Sequence, residues 1–115
     1  MISMEPLPFD LDKYFNRPPG ATEIDLALLV PSQPPAAKIQ EAWELMRLAG
    51  EEKYPKRGPI SILRIDEHTF RILDGNATYA VAKSSNWPRI LAIEFNSEVE
   101  FLAWSRTKLD GTHSL

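Results

Sequence analysis

A chain of 115 residues with a net charge of -3, 43% hydrophobic and 25% charged residues, makes one domain, large enough to bury about 65% of its unfolded surface in a single core. The slight acidity argues against a protein held on nucleic acid by bulk charge, so direct DNA binding is not expected without a further domain. With no cysteine in the sequence, disulfides, thiolate metal sites and thiol nucleophiles are excluded.

Residues 1–21 read as an N-terminal arm. Pro6, Pro8, Pro18, Pro19 and Gly20 rule out a long regular element. Phe9, Leu11, Tyr14 and Phe15 are too apolar for a solvated tail, and they predict a turn of helix from Asp10 to Phe15 that packs on the domain or on a protein partner. The start of the chain has acids and prolines where a secretory leader needs a basic start and an apolar run. The longest apolar run, Leu26 to Val30, is far short of the roughly 20 residues of a membrane helix. The expectation is a cytoplasmic protein with no membrane partner.

Glu23 to Val30 alternates loosely and then becomes continuously apolar before Pro31, which predicts a first strand. Pro34-Pro35 can open a helix over Ala36 to Ala49, with Ile39, Ala42, Trp43 and Met46 on one face and Gly50 as its stop. Lys38, Glu41, Glu44 and Arg47 form its solvated side, with a Glu44 to Arg47 pair. Ile60 to Ile65 and Thr69 to Leu73 read as a hairpin joined by Asp66-Glu67-His68.

Asp74-Gly75-Asn76 then turns the chain into a short helix over Asn76 to Ser85, with Asn76 as candidate N-cap. Trp87-Pro88 forces an extended approach to a last strand, Arg89 to Phe95. Ser97-Glu98-Val99-Glu100 is a capping box for a final helix carrying Phe101, Leu102, Trp104 and Leu109. The domain is expected over 22–109 and a polar tail over 110–115. The element order β α β β α β α implies a single compact α+β domain with a small mixed sheet.

The segment LDGNATYAVAKSSNWPRILAIE, preceded by EIDLALLVPSQPP, a helix and KRGPISILRI, resembles the ParB/sulfiredoxin-like superfamily over about residues 22–95. The resemblance implies the same architecture, with a phosphate or nucleotide held where a strand turns through glycine into a helix. Family members carry Gly-Glu-Arg-Arg or Gly-Cys-His-Arg type motifs at that turn. Here the matching run is Gly75-Asn76-Ala77-Thr78, so the cysteine position is Asn76, the histidine position Ala77 and the phosphate-gripping arginine position Thr78. Sulfiredoxin chemistry is therefore excluded for want of a thiolate. Nucleotide hydrolysis is weakened by the lost bidentate arginine.

The residues point to the same place independently. A glycine between strand and helix lets the backbone bend, and the first amides of the new helix can converge on an anion. The candidate ligand-binding residues are Asp74, Gly75, Asn76, Ala77, Thr78, Lys56, Arg57 and Arg89, with Arg71 as a further source of charge. The cofactor implied is a nucleotide. Catalytic residues are not specified: Glu23, Asp25 and Asp74 are the nearest acids, and Asp74 reads first as a cap of the turn. Metal binding is not expected, because His68 is a turn residue and His113 lies in the tail.

Three functions stand at this point. One is a small domain binding a phosphorylated small molecule, another is a non-catalytic interaction or regulatory module, and the third is a nucleotide-using enzyme of kinase or nuclease type. An interaction module predicts an exposed apolar patch from Phe9, Tyr14 and Phe15 of the arm or from Trp104.

Overall fold

The structure, a computed structural model, describes residues 4–34 and 38–113. Its elements are α1 (Leu11–Tyr14), β1 (Thr22–Asp25), β2 (Leu29–Val30), α2 (Ile39–Gly50), β3 (Ile60–Asp66), β4 (Thr69–Asp74), α3 (Asn76–Ser84), β5 (Arg89–Phe95) and α4 (Glu98–His113). The expected α2 start at Ala36 lies outside the described residues, and α4 continues past the expected tail boundary at Asp110.

The first strand is the main departure from the sequence reading. Glu23 to Val30 does not form one strand, because a single turn of 3-10 helix at Leu26–Leu28 breaks it. Its two halves go to opposite edges of a five-stranded mixed sheet of order β1-β5-β3-β4-β2. β1 runs antiparallel to β5, β5 parallel to β3, β3 antiparallel to β4, and β4 parallel to β2. One short segment thus spans both edges of a curled sheet and limits the open strand edge available to other chains.

β5 lies between β1 and β3, and Ile90, Leu91 and Ala92 are all fully buried, as a strand covered on both faces requires. Ile62, Ile72, Met46 and Val81 join them in the core between the sheet and helices α2 and α3.

The arm belongs to this core. Leu7, Leu11, Tyr14 and Phe15 are buried, and the Tyr14 ring stacks on Trp87 at 5.2 Å between centroids. Polar contacts fix its path: the Trp43 and Trp87 indole N–H groups donate to the carbonyls of Glu5 and Leu7, both at 2.8 Å. The Tyr14 hydroxyl donates to the Pro8 carbonyl. Gly50, expected to stop α2, instead closes it and makes room for the arm, since a Cβ there would lie 2.8 Å from the Tyr14 ring. The left-handed residue after α2 is Glu52, and after α3 it is Asn86. In each case the next N–H reaches back to a carbonyl in the last turn, Lys53 to Leu48 and Trp87 to Ala82, which is the Schellman closure.

The capping box forms in altered form. The Ser97 hydroxyl accepts from the Glu100 amide at 3.1 Å, while the Glu100 carboxylate turns back to the amide and side chain of Asn96. Ser97→Ala should therefore cost about 1 kcal/mol in urea unfolding. An unchanged unfolding midpoint would show that this bond contributes nothing.

Burial raises the Tyr14 pKa above its ordinary value of 10.0, with Asp10 adding to the shift. The folded state thus prefers neutral Tyr14. That stability is fully present below about pH 10 and is lost as pH rises through the raised folded value. Urea melts should show this alkaline loss in the wild type and a flatter profile in Tyr14→Phe; identical profiles would contradict it.

Candidate functional site

The turn after β4 is set by one close contact. Gly75 has φ of +107°, a left-handed conformation, and a Cβ at this position would stand 2.5 Å from Cγ2 of Ile60 on β3. Any side chain is excluded twice, by backbone conformation and by lack of space. Gly75 is itself the N-cap of α3, so the expectation that Asn76 caps this helix is incorrect. Asp74, the last residue of β4, makes no side-chain hydrogen bond among the described residues.

The Asn76 side chain has another job. Its Oδ1 accepts from the Ser32 amide at 2.9 Å and its Nδ2 donates to the Ser32 hydroxyl at 3.2 Å. This holds the loop after β2 beside the α3 N-terminus. The α3 amides of Asn76, Ala77 and Thr78 have no acceptor among the described residues, as expected of a first helical turn.

These residues line a hollow of about 430 Å³ that is also bordered by Gln33, Lys38 and Arg57. A second hollow of about 610 Å³ shares Arg57, Asp74, Gly75 and Thr78 and extends past Lys56 and Tyr54 to Trp104 on α4. Thr78 is 4% exposed and borders both. No hydrogen bond of its hydroxyl occurs among the described residues, and no fully buried side-chain oxygen there lacks a partner. The hydroxyl therefore opens on the hollows.

The arm positions the cationic loop. The Arg57 N–H donates to the Tyr14 carbonyl at 2.9 Å, and the Asn16 N–H donates to the Arg57 carbonyl at 2.8 Å, a short parallel bridge between Phe15 and Arg57. Asn16 Nδ2 also donates to the Lys56 carbonyl. The Lys38, Lys56 and Arg57 side chains make no ion pair among the described residues, and Asp74 is the one carboxylate lining either hollow.

The structure thus gathers Lys56, Arg57, Asp74, Gly75, Asn76, Ala77 and Thr78. It does not bring Arg89 to them. Arg89 pairs with Glu23 at 3.1 Å and lies over the Phe9 ring, and it lines neither hollow. Arg71 is bound to Glu98 beside a separate hollow. Glu23 is taken up by Arg17 and Arg89.

Lys38 and Gln33 were missed by sequence reasoning. Lys38 reads as part of the solvated side of a helix, and only the Ser32–Asn76 tie reveals that this loop folds back onto the turn. No group of three or more metal-ligating side chains occurs among the described residues. Nor is any described helix long and apolar enough to cross a membrane.

No family model matches the chain, and its sequence matches none of the curated proteins. Among solved structures it is similar to the sulfiredoxin of Arabidopsis thaliana, with a TM-score of 0.51 and 18% sequence identity, over 69% of this chain and 88% of that one. The chain has a sulfiredoxin-like fold.

Gly75→Ala should destabilise the domain by about 2–4 kcal/mol, the sum of a left-handed penalty and overpacking against Ile60. Unfolding of Gly75→Ala within about 0.5 kcal/mol of the wild type would contradict this account of the turn.

Proposed function

We propose that this domain binds the phosphate of a nucleotide or other phosphorylated small molecule at the start of α3. The observation that carries this reading is the joining of unpaired amides at Asn76 to Thr78 and an open Thr78 hydroxyl with Lys38, Lys56 and Arg57, none of which is neutralised by a carboxylate partner among the described residues. Helix-terminal amides give direction to an anion, and the free cations give net attraction. The resemblance to the ParB/sulfiredoxin-like superfamily supports the same position. The family arginine is replaced by Thr78, and Arg57 and Lys38 reach the turn from two other elements in its place.

Asp74 opposes the ligand. One carboxylate at the lip against three cations leaves the site positive overall, but weakens it. Of the apolar residues that the interaction reading would expose, Tyr14 and Phe15 are buried in the core, whereas Phe9 and Trp104 are exposed.

Titration calorimetry with ATP, CTP and inorganic pyrophosphate tests the proposal. Binding should weaken as salt is raised, fall about tenfold or more in the Lys38→Ala, Arg57→Ala double variant, and be unchanged in Arg89→Ala. Asp74→Asn should strengthen it about two- to fivefold. Thr78→Arg should strengthen it further by restoring a bidentate donor between the two hollows. Absence of heat with all three ligands at low salt, in the wild type and in Thr78→Arg, would overturn the reading.

A further inference from the structure

The larger hollow holds more than a phosphate needs. Its volume of about 610 Å³ is that of a site for a small organic molecule, and it runs from Gly75 and Thr78 at the α3 turn to Tyr54 and Trp104. α4 forms one side of it. Phe101 and Trp104 rest on Phe95 of β5, with ring centroids 5.4 and 5.3 Å away, so the indole that lines the hollow is supported from behind.

Ser61 supplies the polar part of the lining. Alternation along β3 puts Ile60 and Ile62 in the core and turns Ser61 to the other face of the sheet, beside Ile93 and on the side where Phe95 meets α4. Ser61 is only 3% exposed and its hydroxyl makes no hydrogen bond among the described residues, where no fully buried side-chain oxygen lacks a partner. The hydroxyl therefore opens on the larger hollow, which Ser61 lines. A polar group desolvated on all sides but one gains most from a ligand atom that completes its hydrogen bonding.

The lining also selects a chemistry. Tyr54 and Trp104 are both exposed and offer ring surface on which a flat heterocycle stacks, and Ser61 offers a donor and an acceptor to the edge of such a ring. A sugar would leave most of its hydroxyls unmatched, because Asp74 is the one carboxylate of this lining and no amide side chain joins it.

We infer that the larger hollow binds the base of a nucleotide, with Tyr54 and Trp104 against its ring and Ser61 at its edge. The inference rests on the phosphate reading above and gives the organic half of that ligand a class and a place. Gly75 and Thr78 border both hollows, so base and phosphates occupy adjoining spaces.

Calorimetry of the full chain with inorganic phosphate, inorganic tripolyphosphate, ribose 5-phosphate, ATP and CTP separates the two halves. ATP or CTP should bind about tenfold or more tightly than tripolyphosphate, which carries the same phosphates without a base. Tyr54→Ala, at an exposed loop position, should remove about tenfold of the nucleotide affinity, and Ser61→Ala should remove about threefold or more, both leaving tripolyphosphate binding unchanged. Nucleotides that bind no more tightly than tripolyphosphate overturn the inference while the phosphate reading stands. A nucleotide preference that survives both substitutions also overturns it, because the base would then lie elsewhere. So does ribose 5-phosphate that gains as much over inorganic phosphate as ATP gains over tripolyphosphate, since the hollow would then be a sugar site. Failure of tripolyphosphate and both nucleotides to bind overturns the phosphate reading and this inference together.

Discussion

The contact between Gly75 and Ile60 is the constraint on which the site depends. β4 and β3 are antiparallel neighbours, and the chain leaves β4 while still pressed against the first residue of β3. With a left-handed residue that has no side chain, the backbone can swing into α3 without parting the strands. Any other residue would push the α3 N-terminus away from the Lys56–Arg57 loop that leads into β3. Fold and site are therefore set by the same few atoms.

The arm acts on that loop from the other side. Tyr14 and Asn16 hold the Arg57 backbone, while Trp87, from the end of α3, holds the arm through the Leu7 carbonyl. The result is a closed circuit: the arm grips α3 at its C-terminal end and positions the cations near its N-terminal end. A segment that looks peripheral in the sequence thus places charge at the centre of the candidate site.

Much of this was legible in the residues. The bounds of β5 follow from Pro88 and a continuous apolar run, and the hairpin from two β-rich runs around Asp66-Glu67-His68. The split of the first strand was not legible, because Leu26, Ala27 and Leu28 suit a strand as well as a tight turn, and only the pairing partners β5 and β4 draw the halves apart. Asn76 resembles a cap by residue type, yet the capping place goes to Gly75 once positive φ is required, and its amide side chain is free to bind Ser32. The positions of Arg89, away from the turn, and of Lys38, beside it, were not legible for one reason: distance along the chain says nothing about which loops the curled sheet brings together. Arg89 starts a strand whose neighbour, β1, supplies Glu23.

The central claim is that the first amides of α3 receive an anion, and nuclear magnetic resonance reads those amides one by one. In a titration of the isotopically labelled protein with pyrophosphate and then ATP, the account predicts saturable shifts concentrated on the N–H groups of Asn76, Ala77 and Thr78, with smaller shifts at Arg57. Shifts confined to other surfaces, or none at these amides at saturating ligand and low salt, would contradict it.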